Sequence, residues 1–352
     1  RVICSLSAHM TAKGHDVDIL TINSGKSQYK IAQGVTQNTL DCSTKDNNAL
    51  LRLLSLPIIE FKRIRRFERH VKSTKPDVVL SFSLTTNLIS SIARMKNGTR
   101  LILTERTDPR RFSKLTQWVS GILYRKSDAF VVQSKGIADY YSKKKIKNIS
   151  CIPNPINDQI VTMPLFNGVR EKSVCAVGRL IKEKNYPMMI EAFGVVCKKH
   201  PEYKLCIYGE GYLHDLLAEQ INRLGLGENV KLLGFHDNIY EILSCATLFV
   251  MTSDFEGFPN VLIEAMALGL PAVSTDFPSG VAREYIENGK TGWVVEKGDT
   301  SALINAIESI ICDFENISMN CKMRSRQIIT QLNAGYITNI WLDLIKKLSG
   351  EL

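Results

Sequence analysis

The chain has 352 residues, 44% of them hydrophobic and 23% charged, with a formal net charge of +10. That length exceeds what most single hydrophobic cores reach, which predicts two domains, and the composition is globular rather than disordered. No run of about 18 apolar residues occurs, which excludes a helix that spans a membrane.

Arg1 opens the chain without a methionine, no secretory signal is visible, and a helical pattern begins at once over 2–10; residues are expected to precede it. Residues 17–22 read as a strand, followed by a polar loop rich in Asn, Ser, Gly and Lys. A long basic amphipathic segment over 50–72 is expected to be interrupted at Pro57. Its apolar positions are Leu53, Leu54, Ile58, Ile59, Phe61, Ile64 and Phe67, and Lys62, Arg63, Arg65, Arg66, Arg69 and Lys72 surround them. Two readings stand side by side: attachment to an anionic membrane surface or a lipid diphosphate, or an ordinary solvated helix face. Next come a buried strand over 77–82, a helix over 87–95 and a strand over 100–104. That strand runs into Glu105-Arg106-Thr107-Asp108-Pro109. Ligands of open α/β sheets sit beyond the carboxyl ends of strands, so Glu105, Arg106 and Asp108 are candidates for holding a ligand. The alternative is a Glu–Arg pair that only braces the turn. Another strand follows over 128–132, and Pro153, Asn154 and Pro155 open a stretch that reads as a linker. The expected boundaries are 1–160 for the first domain, 161–171 for the linker, 172–330 for the second domain and 331–352 for a terminal helix.

The second half is more regular. Strands over 174–177, 204–208, 230–233, 247–251 and 272–275 alternate with helices over 186–199, 212–224, 239–244 and 260–268. Such alternation means parallel strands with crossover helices, a Rossmann-like sheet. The densest cluster of chemistry is the loop and helix over 253–269. Pro259 suits the first helical position, where its missing N–H would be unpaired anyway, and Gly257 permits close approach of a ligand. The helix mouth offers free amides and a positive dipole end to an anion, with Glu256 just before it and Glu264 about one and a half turns inside. Upstream, Arg179 supplies a planar fork and Lys184 a point charge in a loop after a strand.

Glu256 and Glu264, seven residues between them, together with Gly257-Phe258-Pro259-Asn260, resemble the donor-site motif of retaining family 4 glycosyltransferases. The stretch 176–185, with Gly178, Arg179 and Lys184, is similar to that family's diphosphate-binding loop, and Tyr208-Gly209-Glu210-Gly211 and Gly234-Phe235 fall between the two in the family's order. The resemblance covers 172–310 strongly and the first half more loosely. It implies an α/β protein of the GT-B fold, two Rossmann-like domains with parallel sheets facing across a cleft, and a terminal helix that crosses back to the first domain. It also implies a strand and a glycine-rich turn before the first helix. Arg179 and Lys184 would grip the diphosphate with Gly178 and the amides from Gly257, Phe258, Asn260 and Val261, around Pro259. Glu264 would accept from the ribose hydroxyls, and Glu256 would orient the donor sugar or stabilise its developing charge. Glu256, Arg179 and Lys184 are then the catalytic set. The implied reaction moves a sugar from a nucleotide sugar, a UDP-sugar, to a saccharide hydroxyl with retention, the departing phosphate taking the acceptor proton. The implied acceptor is carried on a lipid diphosphate, in lipopolysaccharide or capsule assembly at the cytoplasmic face of the cell membrane. No cofactor or metal is expected, because cationic side chains and amides neutralise the leaving group. One departure stands out: where many members of the family have a histidine, this chain has Arg106 or Glu105.

Charge is unevenly placed. Residues 1–160 hold 27 Lys plus Arg against 12 Asp plus Glu, a net of +15, while the remaining 18 against 23 give −5. The basic half is the one expected to meet a negative surface. Nine cysteines form no Cys-x-x-Cys pair and several lie in apolar runs, which predicts free thiols in a reducing cytosol. Asp16-Val17-Asp18 has the spacing of a metal-binding pair but lies at a strand entry, and 209–211 is too short for a dinucleotide fingerprint. Two other classes remain: a sugar-nucleotide epimerase of the same architecture, which is not expected to carry the two glutamates with Arg179 and Lys184, and a polyanion-binding module. Nucleic acid is not expected as a partner, because the acidic second half and its donor motif have no place in such a module.

Overall fold

The computed structural model describes residues 1–24, 29–41, 49–93 and 98–350, and of residues 49–57 the backbone alone. In chain order come α1 (Val2–Ala12), β1 (Val17–Thr21), β2 (Val35–Thr39), α2 (Ala49–Thr74), β3 (Val78–Phe82), α3 (Leu84–Ile92), β4 (Arg100–Thr104), α4 (Lys114–Leu123), β5 (Ala129–Val132), α5 (Lys135–Ser142) and β6 (Ile149–Cys151). There follow α6 (Asp158–Thr162), β7 (Ser173–Val177), α7 (Tyr186–Lys199), β8 (Lys204–Tyr208), α8 (His214–Arg223), β9 (Val230–Gly234), α9 (Ile239–Cys245) and β10 (Leu248–Met251). The chain ends with α10 (Asn260–Ala267), β11 (Ala272–Thr275), α11 (Val281–Tyr285), β12 (Gly292–Val295), α12 (Thr300–Cys312), α13 (Phe314–Leu332) and α14 (Ala334–Ser349). All pairings between these strands are parallel.

Two compact units form: Arg1–Pro155 with Ala334–Leu352, and Ile156–Asn333. In the first, β3-β4-β5-β6 make a four-stranded sheet and β1-β2 a separate pair. Tyr124, Phe130 and Tyr141 fill the core beneath it, with Phe130 edge-on to Tyr141 at 4.7 Å, the arrangement that ring quadrupoles favour. Helix α14 packs on α1 and brings the fully buried Trp341 within 6.0 Å of the Phe82 ring.

Several expectations for this half need correction. The polar loop after β1 contains β2, whose residues are almost all exposed; Thr36 and Asn38 donate to the Asp18 carboxylate at 3.1 and 2.9 Å, and buried Leu40 anchors the end. Helix α2 runs unbroken through Pro57. An interior proline costs roughly 3 kcal/mol, and burying Phe67 and Val71 against Ile89 and Ala93 offsets it, at about 1.5–3 kcal/mol for each large side chain. The side chains expected at Leu53 and Leu54 lie outside what is described, as do positions 94 and 95; the helix expected over 87–95 runs from Leu84 to Ile92, with Ala93 extended. Helices α4 and α5 arise where no element was expected. The boundary at 160 shifts as well: Ile156 and Ile160 are buried, the Ile156 amide bonds to the Leu332 carbonyl at 2.9 Å, and α6 belongs to the second unit.

That second unit is one six-stranded sheet in the order β12-β11-β10-β7-β8-β9. Its central strands β7, β10 and β11 are buried on both faces, so they read as continuous apolar runs; Val174, Leu205, Leu248 and Val273 pack with Phe193 of α7 and Leu303 and Ile307 of α12. Connections from β7 run outward to β8 and β9, and from β10 outward the other way. The strand order therefore reverses between β7 and β10, the place where open α/β sheets bind ligands beyond the strand ends.

Candidate active site

Two loops leave the sheet at that reversal, and both carry residues singled out above. After β7 the chain turns at Gly178, passes Arg179, tightens into a short 3-10 turn over Lys182–Lys184 and enters α7 from Asn185, which is left-handed at φ 48°. After β10 it runs through Thr252 and Ser253 to Glu256 and the mouth of α10. Hydrogen bonds join the two loops. Thr252 Oγ1 donates to the carbonyls of Lys184 and Asn185 at 2.9 and 3.0 Å, and the Asp254 amide donates to the Glu183 carbonyl at 2.8 Å. Lys184 Nζ meets Glu256 Oε1 at 2.5 Å, and Ser253 Oγ donates to the same oxygen at 2.9 Å. A cation and a carboxylate 72 residues apart are thus locked together at the switch point. Arg179, in the same loop as Lys184, is exposed, and among the described residues its guanidinium makes no hydrogen bond or ion pair.

Close backbone packing sets the path of the first loop. A Cβ on Gly209 would lie 2.0 Å from the Gly178 carbonyl oxygen, and one on Gly211 would lie 2.3 Å from that of Leu180. Tyr186 donates its hydroxyl to the Gly178 carbonyl at 3.0 Å; burial first, and Glu256 second, push that phenol above its ordinary range, so it stays a donor. Lys297 flanks the second loop, 3.5 Å from Asp254 and 4.6 Å above the Phe255 ring.

At the mouth of α10, Pro259 stands one position earlier than expected, at the N-cap. The Asn260 amide turns to the Phe258 carbonyl at 2.9 Å, while those of Leu262 and Ile263 return to Pro259. Among the described residues, the amides of Gly257, Phe258 and Val261 have no backbone acceptor, so three of the expected donors remain and Asn260 is not one of them. Gly257, Phe258 and Pro259 are themselves buried. Glu264 lies deeper, 3% exposed, and accepts from the Tyr240 hydroxyl at 3.3 Å, which in turn accepts from Asn157 at 3.2 Å.

The first unit holds the other candidates at the end of β4. Glu105 is buried and receives the Tyr124 hydroxyl at 3.1 Å and the Arg106 and Thr107 amides at 3.1 and 3.4 Å. Burial pushes its carboxyl up to about 7 against these bonds and the Arg106 charge, which favour the anion. Arg106 stacks 4.8 Å from the Phe82 ring and 6.0 Å from Trp341, and donates to Asn154 Oδ1. Burial holds its guanidinium well below its usual range, and its Nε and Nη2 are buried with no hydrogen-bond partner among the described residues. Asp108 caps the turn that follows: it accepts from the Arg110 amide at 2.9 Å and pairs with that guanidinium at 3.1 Å. Glu105 and Asp108 therefore brace the turn, and Arg106 keeps donors to offer.

Family profiles match both halves of the chain: Glycosyltransferase Family 4 over 1–160 and Glycosyl transferases group 1 over 165–327. A Campylobacter jejuni protein, N-acetylgalactosamine-N,N'-diacetylbacillosaminyl-diphospho-undecaprenol 4-alpha-N-acetylgalactosaminyltransferase, is 31% identical over 326 residues, 89% of this chain and 86% of its own. The chain belongs to this glycosyltransferase family. The amylovoran biosynthesis glycosyltransferase AmsD of Erwinia amylovora is 26% identical over 98% of this chain and 95% of its own. Among solved structures, sucrose-phosphate synthase from Thermosynechococcus elongatus superposes with a TM-score of 0.81 over 99% of this chain and 93% of its own, at 18% identity. HepE of Anabaena in complex with UDP and glucose gives 0.77 over 98% and 95%, at 19% identity. The fold of this glycosyltransferase is thus GT-B, and its catalytic class is sugar transfer, which sets aside the epimerase and the polyanion module. Sequence reading of the glycosyltransferase missed Thr252, Tyr240 and Lys297 and gave Ser253 no role. No spacing marks them, since each matters through a contact made only in the folded unit.

Proposed function

We propose that this glycosyltransferase moves a sugar from a UDP-sugar, with retention of configuration, to a hydroxyl of a saccharide carried on a lipid diphosphate. The observation that carries the donor half is the Lys184–Glu256 junction at the strand-order reversal, together with exposed Arg179 and the amides of Gly257, Phe258 and Val261. Arg179 grips the diphosphate as a fork. Lys184 has three donors, so it holds Glu256 and a phosphate oxygen at once, and this cationic set neutralises the leaving group without a metal. Glu256, fixed by Ser253 and Lys184, orients the donor sugar. Glu264 accepts from the ribose hydroxyls, with Tyr240 setting its carboxylate. The departing phosphate takes the acceptor proton, so no separate protein base is required.

The acceptor half rests on the Campylobacter relative, named for a diphospho-undecaprenol acceptor, and on the basic first half of this chain. Arg106, with donors to spare between two rings, is the candidate to hold an acceptor hydroxyl or phosphate. Among the described residues no helix is long and apolar enough to cross a membrane. We place the enzyme at the cytoplasmic membrane face, where the exposed stripe of α2, Ile58, Phe61, Lys62, Arg65, Arg69 and Lys72, attracts anionic lipid.

Calorimetric titration of UDP, GDP and ADP tests the donor reading. UDP is expected to bind in the presence of a chelator, and Arg179→Ala and Glu264→Ala are each expected to weaken it by about 1–3 kcal/mol, the cost of a lost charged hydrogen bond. Binding that requires a divalent metal, or that neither substitution alters, overturns it.

A further inference from the structure

The chain passes between its two units twice, between Pro155 and Ile156 and again between Asn333 and Ala334, and hydrogen bonds link both passages to the helix that carries Glu264. At the first passage Asn157 caps α6, its Oδ1 accepting from the Gln159 amide at 3.0 Å. That bond fixes the side-chain amide, so Nδ2 is the end that reaches the Tyr240 hydroxyl, at 3.2 Å. Tyr240, on α9 and buried, donates in turn to Glu264 Oε2 at 3.3 Å. At the second passage α13 ends at Leu332, whose carbonyl accepts from the Ile156 amide at 2.9 Å. Ser325 of the same helix donates to the Ala267 carbonyl of α10, the helix on which Glu264 lies. The contacts close a ring, from Glu264 through Tyr240, Asn157, Ile156 and α13 back to α10. Another bond joins α6 to α9, Gln159 Nε2 to Glu241 Oε1 at 3.0 Å, between two exposed side chains and outside this ring.

Two properties of the ring let it respond to a ligand. An ionised carboxylate has about four acceptor sites, so Glu264 can take ribose hydroxyls while it keeps Tyr240. Both bonds of the relay are also long: 3.3 Å against about 2.7–2.8 Å for a typical O–H···O bond, and 3.2 Å at the upper end for N–H···O. A ligand that fixes the carboxylate lets the Tyr240 bond shorten, and a hydroxyl that donates more strongly accepts more strongly from its next donor. Occupancy of Glu264 then tightens the hold on Asn157, the second residue beyond the first passage. We propose that Asn157 and Tyr240 are positioning residues that carry occupancy of the ribose site to both places where the chain passes between its units. The inference rests on the reading of Glu264 as the ribose acceptor. The coupling is reciprocal, so whatever steadies the passages raises the affinity for UDP by the same factor.

Hydrogen exchange with and without UDP tests this, read over 156–163 and 329–334 for the passages and over 178–185 for the donor loop. In the parent chain UDP is expected to slow exchange about tenfold in all three segments, within the span of ordinary coupling between sites. Tyr240→Phe keeps the ring and removes both bonds of the relay. Asn157→Asp keeps the cap on the Gln159 amide and removes the donor to Tyr240. In each variant UDP is expected to bind less than about tenfold more weakly, to protect the donor loop still, and to leave the passages unprotected. Gln159→Ala breaks the other bond between α6 and α9 and is expected to behave as the parent. Passages that UDP protects as fully in Tyr240→Phe and Asn157→Asp as in the parent overturn the proposal, as do passages that UDP never protects in the parent. Equal loss in Gln159→Ala overturns it too, since general docking of α6 on α9 would then suffice. Failure of the donor reading is distinct. No UDP binding by the parent, or binding that Glu264→Ala leaves intact, defeats that reading and this inference with it; binding that Glu264→Ala weakens, with passages that do not respond, defeats this inference alone.

Discussion

Glu105 carries a cost that only a functional or structural demand explains. Its carboxyl is 1% exposed and titrates near 7, against 4.5 for the ordinary group, because burial penalises the charged form more than Tyr124 and two amides favour it. Between those two values the folded chain holds a proton that the unfolded chain has released, so stability is greatest below about 4.5, falls as pH rises through about 7, and levels off above. Two and a half units correspond to about 3 kcal/mol. Glu105→Gln keeps an oxygen to accept from the Arg106 and Thr107 amides, turns its NH2 as a donor to the Tyr124 oxygen, and removes the charge. Urea titrations followed through the buried Trp341 should therefore show the variant close to the parent at pH 5 and more stable than it by about 3 kcal/mol at pH 8. A parent chain whose stability is flat across that interval would mean that Glu105 is solvated. Arg106 beside it is the stronger candidate for function, since its Nε and Nη2 are buried with no partner among the described residues, and buried donors that a protein leaves unbonded are costly unless a ligand completes them.

At the scale of elements, the donor loop is shaped by glycines that allow two strand ends to touch. Gly211→Ala would drive a methyl group to 2.3 Å from the Leu180 carbonyl oxygen. Because the obstacle is backbone and Leu180 is fully buried, the loop that carries Arg179 must move. The expected cost is about 1–3 kcal/mol of stability together with weaker UDP binding. Gly227→Ala, with nothing within 4 Å, should change neither by more than a few tenths of a kcal/mol and serves as the control, thermal unfolding and calorimetry being the measurements. Those glycines were visible in the sequence; their contact with Gly178 and Leu180 was not. The same contrast runs through the fold. Strands β7, β10 and β11 are buried on both faces, so their apolar runs announced them, and the glycine, proline and asparagine signals framed α7 and α10. Strand β2 stayed hidden because a polar edge pair held by Thr36, Asn38 and Asp18 has no apolar alternation to read. Pro57 misled for the opposite reason: local propensity pointed to a break, and packing of Phe67 and Val71 about three to four turns away outweighed it. In the site, residue types and order were legible, while the Lys184–Glu256 pair depends on how two loops fall at the sheet reversal, which no local pattern encodes.

For the whole molecule, the consequence of the topology is that one unit is made from both ends of the chain. Residues 334–352 follow directly on α13 of the second unit, yet α14 packs against α1 and its Trp341 is fully buried near Phe82 and Arg106. The second unit, by contrast, is continuous from Ile156 to Asn333 and has a core of its own. Trp341→Ala removes the largest buried side chain of the first unit, and a cavity of that size costs about 3–5 kcal/mol. Domains with separate cores open as separate cooperative units. Hydrogen exchange on the variant should therefore show protection lost together over α1, β3, β4 and α14, although α14 follows the other three by more than two hundred residues in the chain, while β7, β8 and β10 keep theirs and UDP still binds. Loss of protection that instead spread evenly through the six-stranded sheet would mean that the chain unfolds as a single block, and that the two cores do not set its stability separately.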